Sequence, residues 1–292
     1  MHRKSILFVA ILLLCSGLAP VCSADAPPVP SPVDPLPSDP ELAQVDDQRL
    51  KDLYLEATIA VRTAAQDASS PEDGRNRVNA LKAQPRTAGD RTYIAECAMA
   101  AAQVHDWPTY RTAVWAAKVG MTRDNAMVDA IRAALKAPRA EKMSDPQGRA
   151  ISDSLEALGE LNTERAIKLL EDCTRAAFWG DEPMRSVALR TNTRESVIMV
   201  RTLAVTALGK ADPALAIPAL EKLAEQYPDR RPVAKPTDEY EFEDGIGYTI
   251  AEYLWKVRKD AGMPTGLHPL EEHLGMSFEE YLERNPIGEA VP

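Results

Sequence analysis

The sequence predicts an all-α chain, arranged as an α-solenoid of stacked antiparallel helical hairpins. Three observations carry that expectation. Aromatic residues make up only 5% of the 292 residues while hydrophobic residues reach 45%, so strand formers are scarce and the residues that enter helices at little cost prevail. Apolar residues recur at helical rather than alternating spacing along most of the chain. A segment of about twenty residues also recurs fifty positions later without a gap.

The N-terminus is set apart from the fold. His2-Arg3-Lys4, the apolar run Ile6 to Leu14 and the small residues of Val21-Cys22-Ser23-Ala24 follow the order of a secretory signal peptide over 1–24. The run falls short of the roughly 20 residues needed to span a bilayer and is interrupted by Gly17 and Pro20, which disfavours an anchor. Cys15 follows Leu14 and Cys22 follows Pro20-Val21, where a lipoprotein site wants small residues. The chain is therefore expected to be secreted or periplasmic rather than a lipoprotein, with no transmembrane segment once processed. Loss of Arg3 and Lys4 leaves 32 basic residues against 44 acidic, a net charge of −12 compared with −10 for the whole chain. That balance argues against a nucleic-acid partner, whose phosphates need a basic face.

Residues 25–40 contain seven prolines between Ala26 and Pro40. They read as an extended, semi-rigid tether.

Helices follow in order. Over 41–66, Leu50, Leu53, Ala57, Ala60, Val61 and Ala64 form one stripe. Ser70-Pro71 opens a second helix with Val78 and Leu81. Tyr93, Ile94, Cys97, Ala98 and Ala101 form the next stripe. Asp106 caps a helix running toward Gly120, with Ala113, Val114 and Ala117 inside, and Thr122 opens one with Val128, Ile131 and Leu135. Asp145-Pro146 begins a helix with Ile151, Leu155 and Leu158, and Ala166, Ile167, Leu170, Cys173 and Ala177 mark its partner. A helix from Thr193 to Leu208 leads to Asp212-Pro213 and the stripe Ala216, Ile217, Leu220 and Leu223. After a proline-broken loop, Ile250, Leu254 and Val257 belong to a helix starting near Glu243 and ending at Gly262. The tail, 263–292, carries a short capping helix opened by Ser277.

The repeat sets Ala157-Leu158-Gly159 over Ala207-Leu208-Gly209, Ala166-Ile167 over Ala216-Ile217 and Leu170-Glu171 over Leu220-Glu221. In each copy the glycine is expected to end one helix in a left-handed conformation, while Asn162 or Asp212 caps the next. A hairpin of this kind leaves one face uncovered unless a neighbour stacks on it, which is the condition for a solenoid.

Ala207 to Leu220, ALGKADPALAIPAL, resembles the HEAT repeats, especially the bacterial HEAT-like repeats first associated with phycobilisome lyases. Their pattern reads Ala-Leu-Gly-x-x-x-Asp-Pro-x-Ala-Ile-Pro-x-Leu. The first copy departs from it at Thr163 and Lys168, and the fifty-residue spacing puts an insertion near 178–193. The resemblance covers about 145–225, within a HEAT-like region taken as 141–262. The half before it, 41–140, is helical, and within it 94–136 is similar to a tetratricopeptide repeat through Ala98, Ala101, Asp106-Trp107 and Ala117.

Little in the chain points to chemistry. His105 precedes Asp106 at a turn, where capping is the ordinary role. His268 and His273 flank Glu271-Glu272, but the spacing is neither His-Glu-x-x-His nor His-x-x-Glu-His, and Pro269 complicates a helix carrying both rings on one face. The acidic run from Asp238 to Gly245 fails the calcium-loop pattern and suits a helix start. Arg185, Arg190, Arg194 and Arg201 make a local basic cluster, set against Glu182 and Glu195. Cys97 and Cys173, left after signal removal, either pair in an oxidising compartment or sit on apolar stripes as small hydrophobes. No catalytic, cofactor or metal residue is expected.

The HEAT resemblance implies a non-enzymatic scaffold that binds another protein through the second helices of its hairpins. These would expose Lys168, Asp172 and Arg175 from one repeat and Lys222 and Glu225 from the next. The alternatives are an enzyme or lyase-like subunit, as the lyase branch implies, and a structural spacer of the cell envelope.

Overall fold

The computed structural model describes residues 42–121, 123–137, 145–179, 193–228, 244–277 and 280. The protein is all-helical, and no strand occurs among the described residues. The helices are α1 (Gln48–Gln66), α2 (Pro71–Ala83), α3 (Ala88–Val104), α4 (Trp107–Ala117), α5 (Asn125–Leu135), α6 (Asp145–Leu161), α7 (Glu164–Cys173), α8 (Ala176–Trp179), α9 (Thr193–Leu208), α10 (Pro213–Gln226), α11 (Asp244–Asp260) and α12 (Pro269–Leu274). The signal peptide and tether expected over 1–40 lie outside the described residues. No described helix is long and apolar enough to cross a membrane.

Short polar side chains start these helices. Asp47, Ser70, Thr87, Asp106, Asp124 and Thr163 each accept a backbone N–H of the first turn, satisfying donors that have no helical partner. Two caps differ from the sequence expectation. Asp124, not Thr122, opens α5, and Thr163, not Asn162, opens α7. Pro269 stands at the first position of α12, where a missing N–H costs nothing. His268 and Glu271 close a capping box around it, so the proline starts the helix it was expected to disturb.

The chain divides into two compact units, and the division falls within α10, after Ala216. In the first unit α4 packs on α1 and α6, and α6 packs on α9; α5 packs on α3 and α7. Cross contacts join α3 to α4, α5 to α6, α6 to α7 and α7 to α9. The apolar stripes point into these contacts: Leu50, Leu53, Ala98, Ala113, Val114, Val128, Ile131, Leu155, Leu158, Ile167 and Leu170 are all buried. By contrast α2 packs on α1 with no buried residue, so Val78 and Leu81 do not reach the core. In the second unit α11 packs on α12, and Ile250 and Val257 are buried.

Two glycines hold close approaches. Gly120 follows α4 with φ 76°, and a Cβ there would stand 2.6 Å from the Arg86 Cγ. Its N–H donates to the Lys82 carbonyl and its carbonyl accepts from the Arg86 N–H, tying the turn after α4 to the end of α2. The Arg86 guanidinium adds bonds to the Val119 and Leu53 carbonyls at 2.9 and 3.1 Å.

Gly159 plays a different part from the one expected. It does not end α6, which continues to Leu161, and the left-handed position falls at Asn162 with φ 50°. Gly209 likewise continues the helical bonding of α9, its N–H donating to the Val205 carbonyl. What Gly159 supplies is room: a Cβ there would lie 2.4 Å from the Ala207 carbonyl oxygen, so α6 and α9 meet backbone to backbone.

This contact predicts opposite outcomes for two glycine-to-alanine changes. Gly159→Ala forces α6 and α9 apart and should cost about 1–3 kcal/mol or more, the range for overpacking. Gly89→Ala, in the first turn of α3 with only the Thr87 hydroxyl oxygen near the added carbon at 4.0 Å, should be neutral or stabilise by about 0.5 kcal/mol. Urea unfolding of both variants against the parent measures the contrast.

Candidate functional site

The surface charges predicted for the second helix of the first repeat come together, Lys168 and Asp172 on α7 and Arg175 two residues beyond its end. The Lys168 ammonium lies 3.6 Å from Glu171 and 3.9 Å from Asp172, and Arg175 lies 3.6 Å from Asp172 on its other side. Lys168 and Arg175 are about half exposed on their side chains, at 54% and 42%. Each pair is therefore worth little to stability, and the cations remain accessible. Between α5 and α7 the Arg165 guanidinium pairs with Asp129, extending the charged surface to the neighbouring helix. Lys222 and Glu225, exposed on α10 one turn apart, belong to the second unit; Lys168, Asp172 and Arg175 belong to the first.

A second charged set went unread in the sequence. Asp153, Glu156 and Glu160 occupy positions i, i+3 and i+7 of α6 and so share one face. Each is met by a cation from another segment: Arg111 bonds Asp153 at 2.7 Å, Lys118 and Lys210 both bond Glu156 at 2.7 Å, and Lys82 bonds Glu160 at 2.6 Å. Beside them the Tyr110 and Ser154 hydroxyls share a hydrogen bond of 2.6 Å out of water. Lys118 also stands 3.8 Å from the centre of the Trp115 ring. The spacing of three carboxylates was visible, but cations from α2, α4 and the loop before α10 become their partners only after packing.

Burial alone would raise the Glu156 carboxyl, yet the Lys118 and Lys210 ammoniums outweigh it and hold it down at about 2. Near the start of α1, Asp47 accepts from the Tyr93 hydroxyl and, at 3.7 Å, from the Cys97 thiol. Cys97 is thus half-buried beside a carboxylate rather than on an apolar stripe. Burial and the Asp47 charge push its thiol up, which keeps it protonated and a poor nucleophile. Cys173 is fully buried, and no disulfide joins it to Cys97.

His105 closes α3 in a left-handed conformation and stacks on Trp107, with ring centres 5.7 Å apart. The His268 Nδ1 accepts the Leu270 N–H, and burial pushes its pKa down. Among the described residues no three His, Cys, Asp or Glu side chains are grouped to hold a metal ion. Arg201 is not a surface cation: it is buried, and its Nε donates to the Thr174 carbonyl. Arg185 and Arg190 lie outside the described residues, as do 238–243 of the acidic run, while Asp244 begins α11.

One cavity of about 310 Å³ opens in the second unit, between α11, the loop after it and α12. No family model, curated protein or solved structure matches the chain.

The Glu156 site predicts an acid dependence of stability. Its pKa is depressed from an ordinary 4.5, so its contribution is complete above about pH 4.5 and is lost as pH falls toward 2. Between pH 5.5 and 2.5 the melting temperature of Glu156→Gln should fall less steeply than that of the parent. Equal slopes would remove Glu156 from the acid dependence.

Proposed function

We propose that the protein is an exported, non-enzymatic interaction module of HEAT-like type, whose stacked hairpins offer a charged helical surface to another protein. The observation that supports this most is the meeting of the two repeat copies. Gly159 of the first lies against Ala207 of the second, and the Asn162 side chain accepts the N–H of Asp212, its own equivalent fifty residues on, at 2.7 Å. Equivalent positions bonded to each other are what stacking of repeats requires.

The surface for a partner is the charged set of Lys168, Asp172 and Arg175 on the first unit, and Lys222 and Glu225 on α10 are a separate pair on the second. Lys168 and Arg175 are held loosely by carboxylates that a partner's charges can displace. The imidazoles of His105 and His268 serve helix ends, which lends the enzyme reading no support. Export follows from the signal-like order of residues 1–24.

A photo-crosslinking residue placed in cells at Lys168, Arg175 or Arg165 should capture one and the same protein, while the same residue at exposed Ile59 on α1 should not. The charge reversals Lys168→Glu and Arg175→Glu together should lower the yield at Arg165 several-fold. Identical adducts at all four positions, or none, would favour a structural spacer instead.

A further inference from the structure

We propose that the outer face of α1 is a homodimer interface, on which a second copy of this chain docks with its own α1 antiparallel. Gln48, Asp52, Leu55, Ile59, Arg62 and Gln66 are all exposed. At about 100° per residue they fall within about 80° of one another around the helix, opposite the buried Leu50, Leu53, Tyr54 and Ala57. Among the described residues the exposed large apolar side chains are Leu55, Ile59, Val104, Met263 and Leu267, and only Leu55 and Ile59 share one face of a helix.

The spacing of these six residues fits a second helix. They follow one another at intervals of four, three, four, three and four, the seam of a coiled coil. The pattern reads the same from either end. Two copies of α1 running antiparallel about Ala57 therefore set Leu55 against Ile59, Asp52 against Arg62 and Gln48 against Gln66, each pair made twice by the two-fold axis. Apolar side chains form the centre, ion pairs flank it and amides close the ends. Charge selects this arrangement over the parallel one, which would oppose Asp52 to Asp52 and Arg62 to Arg62.

The two charges can meet only across copies. Asp52 accepts from the Gln48 side chain at 2.8 Å and keeps its charge for a guanidinium. Arg62 is exposed and pairs with no carboxylate among the described residues. Ten residues, or about 15 Å of helix, separate it from Asp52 on its own α1. Glu56, beside the two-fold axis, has the Arg86 guanidinium at 3.8 Å, which offsets its repulsion of its own copy. Helix α1 has 19 residues, a length of about 28 Å. One helix pair of that length is a small interface, so dissociation in the micromolar range is expected. The face uses none of Lys168, Asp172 and Arg175 and is independent of the proposed scaffold function. The photo-crosslinker at Ile59 should return a second copy of this chain rather than the protein captured at Lys168.

The test is sedimentation equilibrium of the full chain under reductant. The parent should show a monomer–dimer equilibrium, and Leu55→Lys with Ile59→Lys should weaken it about tenfold or more. Asp52→Arg alone and Arg62→Asp alone should each weaken it about tenfold, because each turns both ion pairs into like-charge contacts. The two reversals together rebuild the pairs with their signs exchanged and should return the dissociation constant to within about threefold of the parent. That recovery also shows that the single variants were not simply misfolded. A parent monomeric at high micromolar concentration would leave the face to the tether of residues 25–40 or to a different protein, and would overturn the proposal. A dimer that survives Leu55→Lys with Ile59→Lys, or a double charge reversal no tighter than either single one, would overturn it as well.

Discussion

The contact between Gly159 and the Ala207 backbone is the constraint around which the first unit is organised. With no side chain at 159, α6 lies directly on α9, and the Asn162 side chain can reach the Asp212 N–H. That bond holds the turn of one copy against the turn of the other. From this position α6 also contacts α4, α5 and α7, so its stripe of Ile151, Leu155 and Leu158 is buried from several sides at once. Small side chains also fill much of α3, where Ala95, Ala98, Ala101 and Ala102 are buried. A core built this way needs few aromatics, which is the reason their scarcity in the composition is compatible with a folded chain.

The second organising element is electrostatic. Along α6 three carboxylates would be costly to bury unpaired, and four cations from other segments make that burial possible. Glu156 accepts from both Lys118 and Lys210, so it links the turn after α4 to the loop before α10. These pairs differ in kind from those of α7. Arg111 and Lys118 are nearly inaccessible, whereas Lys168 and Arg175 reach solvent. The charges of α6 hold helices together, whereas Lys168 and Arg175 are left about half exposed.

The second unit has its own logic. Helix α12 owes its start to His268 and Pro269, and the same histidine braces Trp255. The cavity that this indole lines belongs to the second unit alone.

Much of this was legible in the residues. Helix-favouring composition, apolar spacing and capping residues determined an all-helical chain, with α9 at Thr193–Leu208 and α10 at Pro213 as read from the pattern, because capping and amphipathic spacing are local physics. The repeat of Ala-Leu-Gly was equally plain. What only the tertiary structure decided is the purpose of particular residues. Gly159 looked like a helix terminator and proved to be a contact, because the carbonyl it admits comes from fifty residues away in the chain. Arg201 looked like a surface cation and Cys97 like a core residue, and packing reversed both. The partners of Asp153, Glu156 and Glu160 were equally hidden, since a charge in sequence has no neighbour until the helices that carry its counterions have come together.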